Sequence, residues 1–224
     1  MKLRLDDAGK VYRSPLFDGL EWLDHAFGTA AGDPPFPTVT LKQIHSARII
    51  PLEEHCEGLE GDALAADVPG SFVGVKTADC LPVLIADVKR RVVASMHAGW
   101  RGTSAGIATK TVRFLNSRYG SQPQDLRAAM GPAIQECCFE VGPEVAVEFQ
   151  SLFPERNDLN GRTRISLAEA NRRLLEATGV PGWGIATQAP CTVCSGMPFH
   201  SWRRDKTRTG RMISAIGIRG MGGA

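Results

Sequence analysis

Three strand-forming segments follow one another in Ser71-Phe-Val-Gly-Val-Lys-Thr-Ala-Asp-Cys-Leu-Pro-Val-Leu-Ile-Ala-Asp87 and Arg91-Val-Val-Ala-Ser-Met-His-Ala-Gly-Trp-Arg-Gly102. They are rich in Val, Ile and Phe, and a charged turn separates the last two, so we predict three short strands. The motifs Thr77–Pro82 and His97–Gly102 lie at the strand ends, where a Cys and a His side chain can point into a cleft. A helix is predicted next, from about Thr103 to Tyr119.

The remaining chain mixes strand and helix patterns without a repeat or a clear linker. We predict a hairpin over residues 2–13 and a β-rich segment over 38–50. The sequence Ser166-Leu-Ala-Glu169 is a capping box, which predicts a helix from about Leu167 to Ala177. These elements predict an α+β fold in which mixed β-sheets are flanked by helices, in one domain spanning residues 1–224.

The composition is that of an ordinary globular protein, with 224 residues, 43% hydrophobic and 22% charged. The net charge of +2 is too small to indicate binding to nucleic acid or to a membrane surface. Residues 1–10 lack the apolar core of a signal peptide, so we expect the protein to be cytoplasmic. We also expect it to be a monomer. The six cysteines should be reduced in that compartment.

His45, Cys80 and His97 are the candidate metal ligands. They are separated by 35 and 17 residues (80 − 45 and 97 − 80), which is unlike the short spacing of a zinc finger. Such spacing suits an open catalytic site with one ligand from each of three segments. From spacing alone, a hydrogen-bonded structural role is the commoner alternative for a histidine such as His45.

Seven motifs occur in order along the chain: Gln43-Ile-His45, Gly61-Asp-Ala63, Thr77-Ala-Asp-Cys-Leu-Pro82, His97-Ala-Gly-Trp-Arg-Gly102, Gly131-Pro-Ala-Ile134, Cys137-Cys-Phe-Glu-Val-Gly142, and Ser201-Trp-Arg-Arg-Asp205 with Thr209-Gly-Arg211. In them the chain resembles the YfiH-type family, also called multicopper polyphenol oxidase or laccase-domain proteins. The resemblance implies a zinc ion held by His45, Cys80 and His97. It also implies purine nucleoside phosphorylase activity on adenosine, inosine and methylthioadenosine, with phosphate as co-substrate, together with adenosine deamination.

Deamination at the purine C6 needs a carboxylate to move protons. The candidates are Asp79, beside a predicted ligand, and Asp62. The alternative for Asp79 is that it orients a ligand or a loop. The alternative for Asp62 is an ordinary turn residue.

Phosphorolysis needs a site for the phosphate anion. Arg101 stands in the Gly-rich turn before the predicted helix, whose free N–H groups attract anions. Arg203, Arg204 and Arg211 can add to this site, and their alternative is a solvated basic loop. The family motif favours a functional role for Arg203 and Arg204. Trp100 can stack on a purine, although a core role is more usual for tryptophan.

Cys138 supports a rival hypothesis. A thiolate there, with His97 as its base, would give a Cys/His hydrolase. The family resemblance implies the editing of a peptidoglycan precursor as the role of such an enzyme, which could equally be a zinc hydrolase. The alternative for Cys138 is packing beneath the pocket. Cys191 and Cys194 form a lone CxxC pair, too little to predict a structural zinc site. A copper phenol oxidase ranks lower because the chain has only five histidines, and a non-enzymatic partner protein would not need a ligand set.

Overall fold

Two large β-sheets form the frame of this computed structural model, which describes residues 1–6 and 8–220. Residues 221–224 of the predicted domain lie outside the described residues. The strands are β1 Arg4–Leu5, β2 Val11–Arg13, β3 Leu23–Gly28, β4 Val39–Thr40, β5 Ile49–Pro51, β6 Ala63–Ala66, β7 Phe72–Thr77, β8 Leu81–Asp87, β9 Val92–Ala98, β10 Leu126–Met130, β11 Glu140–Val141, β12 Thr163–Arg164, β13 Ile185–Ala186 and β14 Met212–Ile218. The α-helices are α1 Trp100–Ser104, α2 Ile107–Tyr119, α3 Pro143–Ala146, α4 Leu167–Ala177 and α5 Trp202–Asp205.

Both sheets are mixed, as the sequence predicts. The first has the order β1-β2-β3-β14-β7-β4 and the second β13-β10-β8-β9-β6-β5, while β11 and β12 form a separate pair. Neighbouring strands are antiparallel except for β4–β7, β5–β6 and β10–β13, which are parallel. The predicted α+β class is therefore confirmed.

Strand β8 shows how the layers are built, because it is buried on both faces. Its Leu81, Val83 and Ile85 belong to a core that also contains residues of α2 and α4. Leu84 and Ala86 point the other way, into a core shared with the first sheet. The side-chain alternation of a strand thus sorts one apolar run into two cores. The second sheet is the middle layer, between the first sheet and the helices.

The predicted helix from Thr103 is two helices in the structure. It is interrupted at Gly106, whose φ of 74° is a left-handed conformation that glycine adopts at little cost. The chain therefore turns between α1 and α2. The predicted cap of α4 is confirmed, since Ser166 Oγ accepts a hydrogen bond from Glu169 N at 3.1 Å.

The predicted β-rich segment 38–50 contains only the short strands β4 and β5. The residues between them, including His45, form an irregular loop. Among the described residues, no helix is long and apolar enough to cross a bilayer.

Candidate metal centre and substrate pocket

His45, Cys80 and His97 converge at one point. Their ligand atoms all lie within 4.8 Å of one another, and the two imidazole rings meet edge to face with centroids 4.9 Å apart. His45 comes from the loop after β4, Cys80 from the turn between β7 and β8, and His97 from the end of β9. The antiparallel pairing of β8 with β9 places Pro82 opposite His97, which brings that turn beside the histidine.

The carboxylate of Asp62 holds both histidines in place. It accepts hydrogen bonds from the backbone N–H groups of three consecutive residues, Ile44 at 3.3 Å, His45 at 3.0 Å and Ser46 at 2.6 Å. Ser46 Oγ adds a fourth at 2.7 Å, and His97 Nδ1 lies 2.8 Å from Asp62 Oδ1. Successive N–H groups curved around an anion form a nest, which explains the φ of 60° at His45.

The charge of Asp62 is fixed by these bonds. Burial opposes its ionisation, but the hydrogen bonds from His97 and Ser46 prevail and lower its pKa from 3.8 to about 2. Burial likewise disfavours the imidazolium form of His97, yet contacts with Asp62 and Cys80 raise its pKa from 6.5 to about 9. Asp62 therefore anchors Nδ1 of His97 and leaves Nε2 to face the cluster.

Cys80 has the character of a metal-binding cysteine. Its burial favours the neutral thiol, but hydrogen bonds with His45 and His97 lower its pKa from 9.0 to about 6. The thiolate is the form that binds metal ions. Gly99 leaves space beside it, because a Cβ there would lie 2.9 Å from Cys80 Sγ and 3.3 Å from His45 Cδ2. Two imidazoles, one stabilised thiolate and this open space fit a metal ion with a free coordination position.

Asp79 is fully engaged in local hydrogen bonds. Its carboxylate accepts from Thr192 Oγ1 at 2.6 Å, Ser201 Oγ at 3.1 Å and Arg203 N at 2.6 Å. It therefore ties the turn that carries Cys80 to the first turn of α5. Its φ of 89° is strained for a residue with a side chain.

A pocket of about 550 Å³ opens over the three ligands. This volume is within the range of small-molecule sites. The pocket combines apolar and aromatic walls with three cationic side chains. Its lining residues are Leu41, Gln43, His45, Lys76, Thr77, Ala78, Asp79, Cys80, His97, Trp100, Ile134, Phe139, Leu167, Trp202, Arg203 and Arg211.

The predicted arginines occupy three different environments. Arg203 lines the pocket, and its guanidinium donates to the carbonyl oxygens of Cys138 at 3.3 Å and Glu140 at 3.0 Å. Arg204 does not line the pocket; its guanidinium binds Asp205 and two backbone carbonyls. Arg101 is exposed and stacks on Trp100, with Cζ 4.2 Å from the ring centroid.

The predicted site residues did not include Lys76, whereas Arg211 was a further candidate for the phosphate site. Both line the pocket. Gln43 ties the backbone of Lys76 to the loop that carries His45, because its amide donates to Lys76 O at 2.8 Å and accepts from Lys76 N at 2.7 Å. A lysine at the exposed end of a Val-rich strand, directly before the Thr77–Pro82 motif, is the sequence signal for this residue.

Cys138 lies outside the pocket lining and beside three other cysteines. Its thiol, and those of Cys137, Cys191 and Cys194, lie within 4.8 Å of one another. Burial, followed by the hydrogen bond with Cys194, raises the pKa of Cys138 from 9.0 to about 11. This arrangement does not activate Cys138 as a thiolate nucleophile. The arrangement also places Cys137 and Cys138 beside the Cys191/Cys194 pair. The sequence alone did not show that these two pairs of cysteines meet.

Comparisons with known proteins agree with this fold and show the family. A family profile described as multi-copper polyphenol oxidoreductase laccase matches residues 24–219. A purine nucleoside phosphorylase of Deinococcus radiodurans is 36% identical over 219 residues, covering 96% of this chain and 82% of the relative. Adenosine deaminase RL5, from an unknown prokaryotic organism, is 37% identical over 194 residues, covering 80% and 74%. The crystal structure of Bacillus licheniformis hypothetical protein YfiH matches with a TM-score of 0.85 and 31% identity, covering 97% of this chain and 99% of that one. The chain therefore belongs to the multi-copper polyphenol oxidoreductase laccase family, the YfiH-type proteins.

Proposed function

We propose that the protein is a zinc-dependent purine nucleoside phosphorylase. The observation that carries the proposal is the donor set of His45, Cys80 and His97 at the base of a nucleoside-sized pocket. The names of relatives such as the Deinococcus radiodurans enzyme support the choice of reaction.

Zinc is the proposed metal. A zinc ion with an open position supplies Lewis-acid activation of water or of a substrate oxygen at neutral pH. Two histidines and a cysteine also occur at blue-copper sites, but those add an axial ligand that is usually methionine, and no methionine is among the residues that line this pocket. The three remaining histidines are engaged elsewhere: His25 with Ser14 N, His55 with Thr40 O and His200 with Gly210 N. Few imidazoles are therefore left for further copper ions.

The aromatic rings are proposed to bind the purine. Trp100 and Trp202 line the pocket, and Trp202 is 48% exposed, so its ring is accessible to a ligand. A flat base stacks well on an indole. Arg101 packs on Trp100 from outside, and we assign it to holding this ring rather than to direct contact with phosphate.

The cationic side chains that line the pocket are proposed to bind phosphate. Lys76, Arg203 and Arg211 supply positive charge on the pocket wall. A phosphate oxygen attacks C1′ of the ribose while the bond from C1′ to the purine nitrogen breaks, and its electron pair leaves with the base. The base takes up a proton, and the products are the free purine and ribose 1-phosphate. The phosphate dianion also neutralises positive charge that develops on the sugar.

Adenosine deamination is the second candidate activity, favoured by the likeness to adenosine deaminase RL5. Water would replace the C6 amino group, releasing ammonia. For Asp62 and Asp79 we propose a positioning role, because their carboxylates already accept several protein hydrogen bonds.

The test is product analysis with adenosine, with and without phosphate. Phosphorolysis gives adenine and ribose 1-phosphate, hydrolysis gives adenine and ribose, and deamination gives inosine and ammonia. We expect adenine formation that depends on phosphate in the wild type and in Cys56→Ser, a control at an exposed cysteine outside the metal centre. We expect none in Cys80→Ser. Phosphate-dependent turnover by Cys80→Ser at the wild-type rate would refute the proposal.

A further inference from the structure

The four-cysteine cluster has the geometry of a second metal site. Cys137 Sγ and Cys194 Sγ are 3.6 Å apart, and all four sulfur atoms lie within 4.8 Å of one another. A tetrahedral zinc ion with Zn–S bonds of about 2.3 Å would hold its sulfur atoms about 3.8 Å apart. A disulfide would instead need a separation of about 2.05 Å.

We propose that Cys137, Cys138, Cys191 and Cys194 bind one structural zinc ion. Four thiolates in a tetrahedral arrangement are a donor set that selects zinc or iron, and four donors complete the shell of a zinc ion without an open position. The site shares no ligand with the centre formed by His45, Cys80 and His97, so it does not depend on the proposed function.

The surrounding backbone supports coordination at this point. Gln135 N donates to Cys191 Sγ at 3.5 Å, a contact of the kind that orients a metal ligand and stabilises its charge. Cys191 is buried whereas Cys137 and Cys194 are exposed, so the cluster lies at the surface with one sulfur anchored inside. Such a position leaves an entry path for the ion.

The ion would join two segments that form one wall of the substrate pocket. Residues 131–142 supply Ile134 and Phe139 to the lining, and residues 190–205 supply the contacts of Asp79. Among the described residues, four hydrogen bonds outside the cluster also join these segments. Thr192 N donates to Ala133 O at 3.0 Å and Ala133 N donates to Pro190 O at 3.4 Å. The Arg203 guanidinium donates to the carbonyl oxygens of Cys138 and Glu140. Since residues 192–201 contain neither helix nor strand, a metal cross-link explains how this irregular segment can hold Arg203 in place.

The test is the zinc content of protein purified anaerobically with a reductant. We expect two zinc ions per chain in the wild type and in Cys56→Ser. Cys80→Ser and Cys194→Ser should each retain one, and the double variant should retain none. One ion in the wild type and none in Cys80→Ser would overturn the proposal, as would mass spectrometry showing disulfides within the cluster, or iron in place of zinc.

Cobalt substitution of Cys80→Ser gives a second readout that does not require Cys194→Ser to fold. The cluster should bind one Co²⁺ per chain, with intense tetrahedral d–d bands and the sulfur-to-cobalt charge-transfer absorption of four thiolates. Weak octahedral bands without charge transfer would contradict the assignment. Neither measurement uses nucleoside turnover, so failure of the proposed activity would be recognised separately.

Discussion

Replacing Asp62 by Asn tests whether this carboxylate assembles the metal centre. Asp62 is fully buried, and its carboxylate faces backbone N–H groups, the Ser46 hydroxyl and His97 Nδ1. All of these donate to it, and only the imidazole can become an acceptor instead. If the new amide NH₂ takes the Oδ2 position, it faces the donors of Ile44 and Ser46. If it takes the Oδ1 position, it faces His45 N–H and makes His97 Nδ1 an acceptor, which moves the imidazole proton to Nε2, the nitrogen that faces the cluster.

Both orientations weaken metal binding. Loss of such a supporting carboxylate typically costs 10–100-fold in metal affinity, about 1.4–2.8 kcal/mol. A buried donor left without a partner costs about 1–3 kcal/mol of stability in addition. We therefore expect zinc affinity to fall by at least about tenfold.

The assay is competition for zinc with a chromogenic chelator, combined with urea unfolding of metal-free protein. Asp87→Asn is the matched control, since Asp87 is equally buried. Its Oδ1 accepts from Lys89 N and Arg90 N, while its Oδ2 has no partner among the described residues, so an amide NH₂ can replace Oδ2 there. Equal zinc affinity in Asp62→Asn and Asp87→Asn would refute the role given to Asp62.

Three further predictions follow from individual side chains. Arg203→Lys should raise the KM for phosphate in steady-state assays, because an ammonium cannot keep two carbonyl contacts and also face the pocket. Arg101→Lys should instead change the KM for nucleoside. The reverse pattern would place the phosphate at Arg101. Cys138→Ala should lose the cluster ion and raise the KM for phosphate, but it should keep nucleoside cleavage at saturating phosphate and the zinc ion bound through Cys80. A folded variant that retains this ion and is inactive even at saturating phosphate would favour the Cys hydrolase. His25 is protected from protonation by burial, which lowers its pKa from 6.5 to about 4. Its ring accepts the N–H of Ser14 at 2.8 Å. The unfolded chain binds this proton first, so stability is full above pH 6.5 and falls by about 2 kcal/mol at pH 5. Urea unfolding should show that loss in the wild type and not in His25→Gln, and an equal loss in both would contradict it.

The central strands were predictable because the signals that define them lie within their own short segments of sequence. The runs of β7, β8 and β9 are long, Val-rich and bounded by turn residues. Strand β6, in contrast, lies within the largely polar segment 53–67 and has no clear strand pattern of its own. Its sequence Ala-Leu-Ala-Ala is short and weakly hydrophobic, and it is buried because β5 and β9 pair with it on either side. Pairing of this kind depends on distant residues.

The irregular loop around His45 has a similar non-local cause. Three backbone N–H groups that a strand would use for pairing bind Asp62, which is 16–18 residues away in sequence. Sequence patterns indicate β structure there because the apolar residues alternate, but the carboxylate competes for the same donors. The convergence of His45, Cys80 and His97 came from the family resemblance, since spacing alone left it open.

The four-cysteine cluster was beyond sequence reasoning for a topological reason. Cys138 and Cys191 are 53 residues apart (191 − 138), and the parallel bridge between Ala133 and Cys191 brings them together. The roles of Arg203 and Arg204 were also not separable from the sequence, because the two residues are adjacent in the same motif. In the structure both lie in α5, but only Arg203 lines the pocket.

The most direct test of zinc-dependent phosphorolysis is the stoichiometry of products from metal-free protein reconstituted with zinc or with copper. With zinc and phosphate, adenosine should yield adenine and ribose 1-phosphate in equal amounts, and metal-free protein should yield neither. Equal activity of the metal-free protein, or phenol oxidation by the copper form without nucleoside cleavage by the zinc form, would contradict the account.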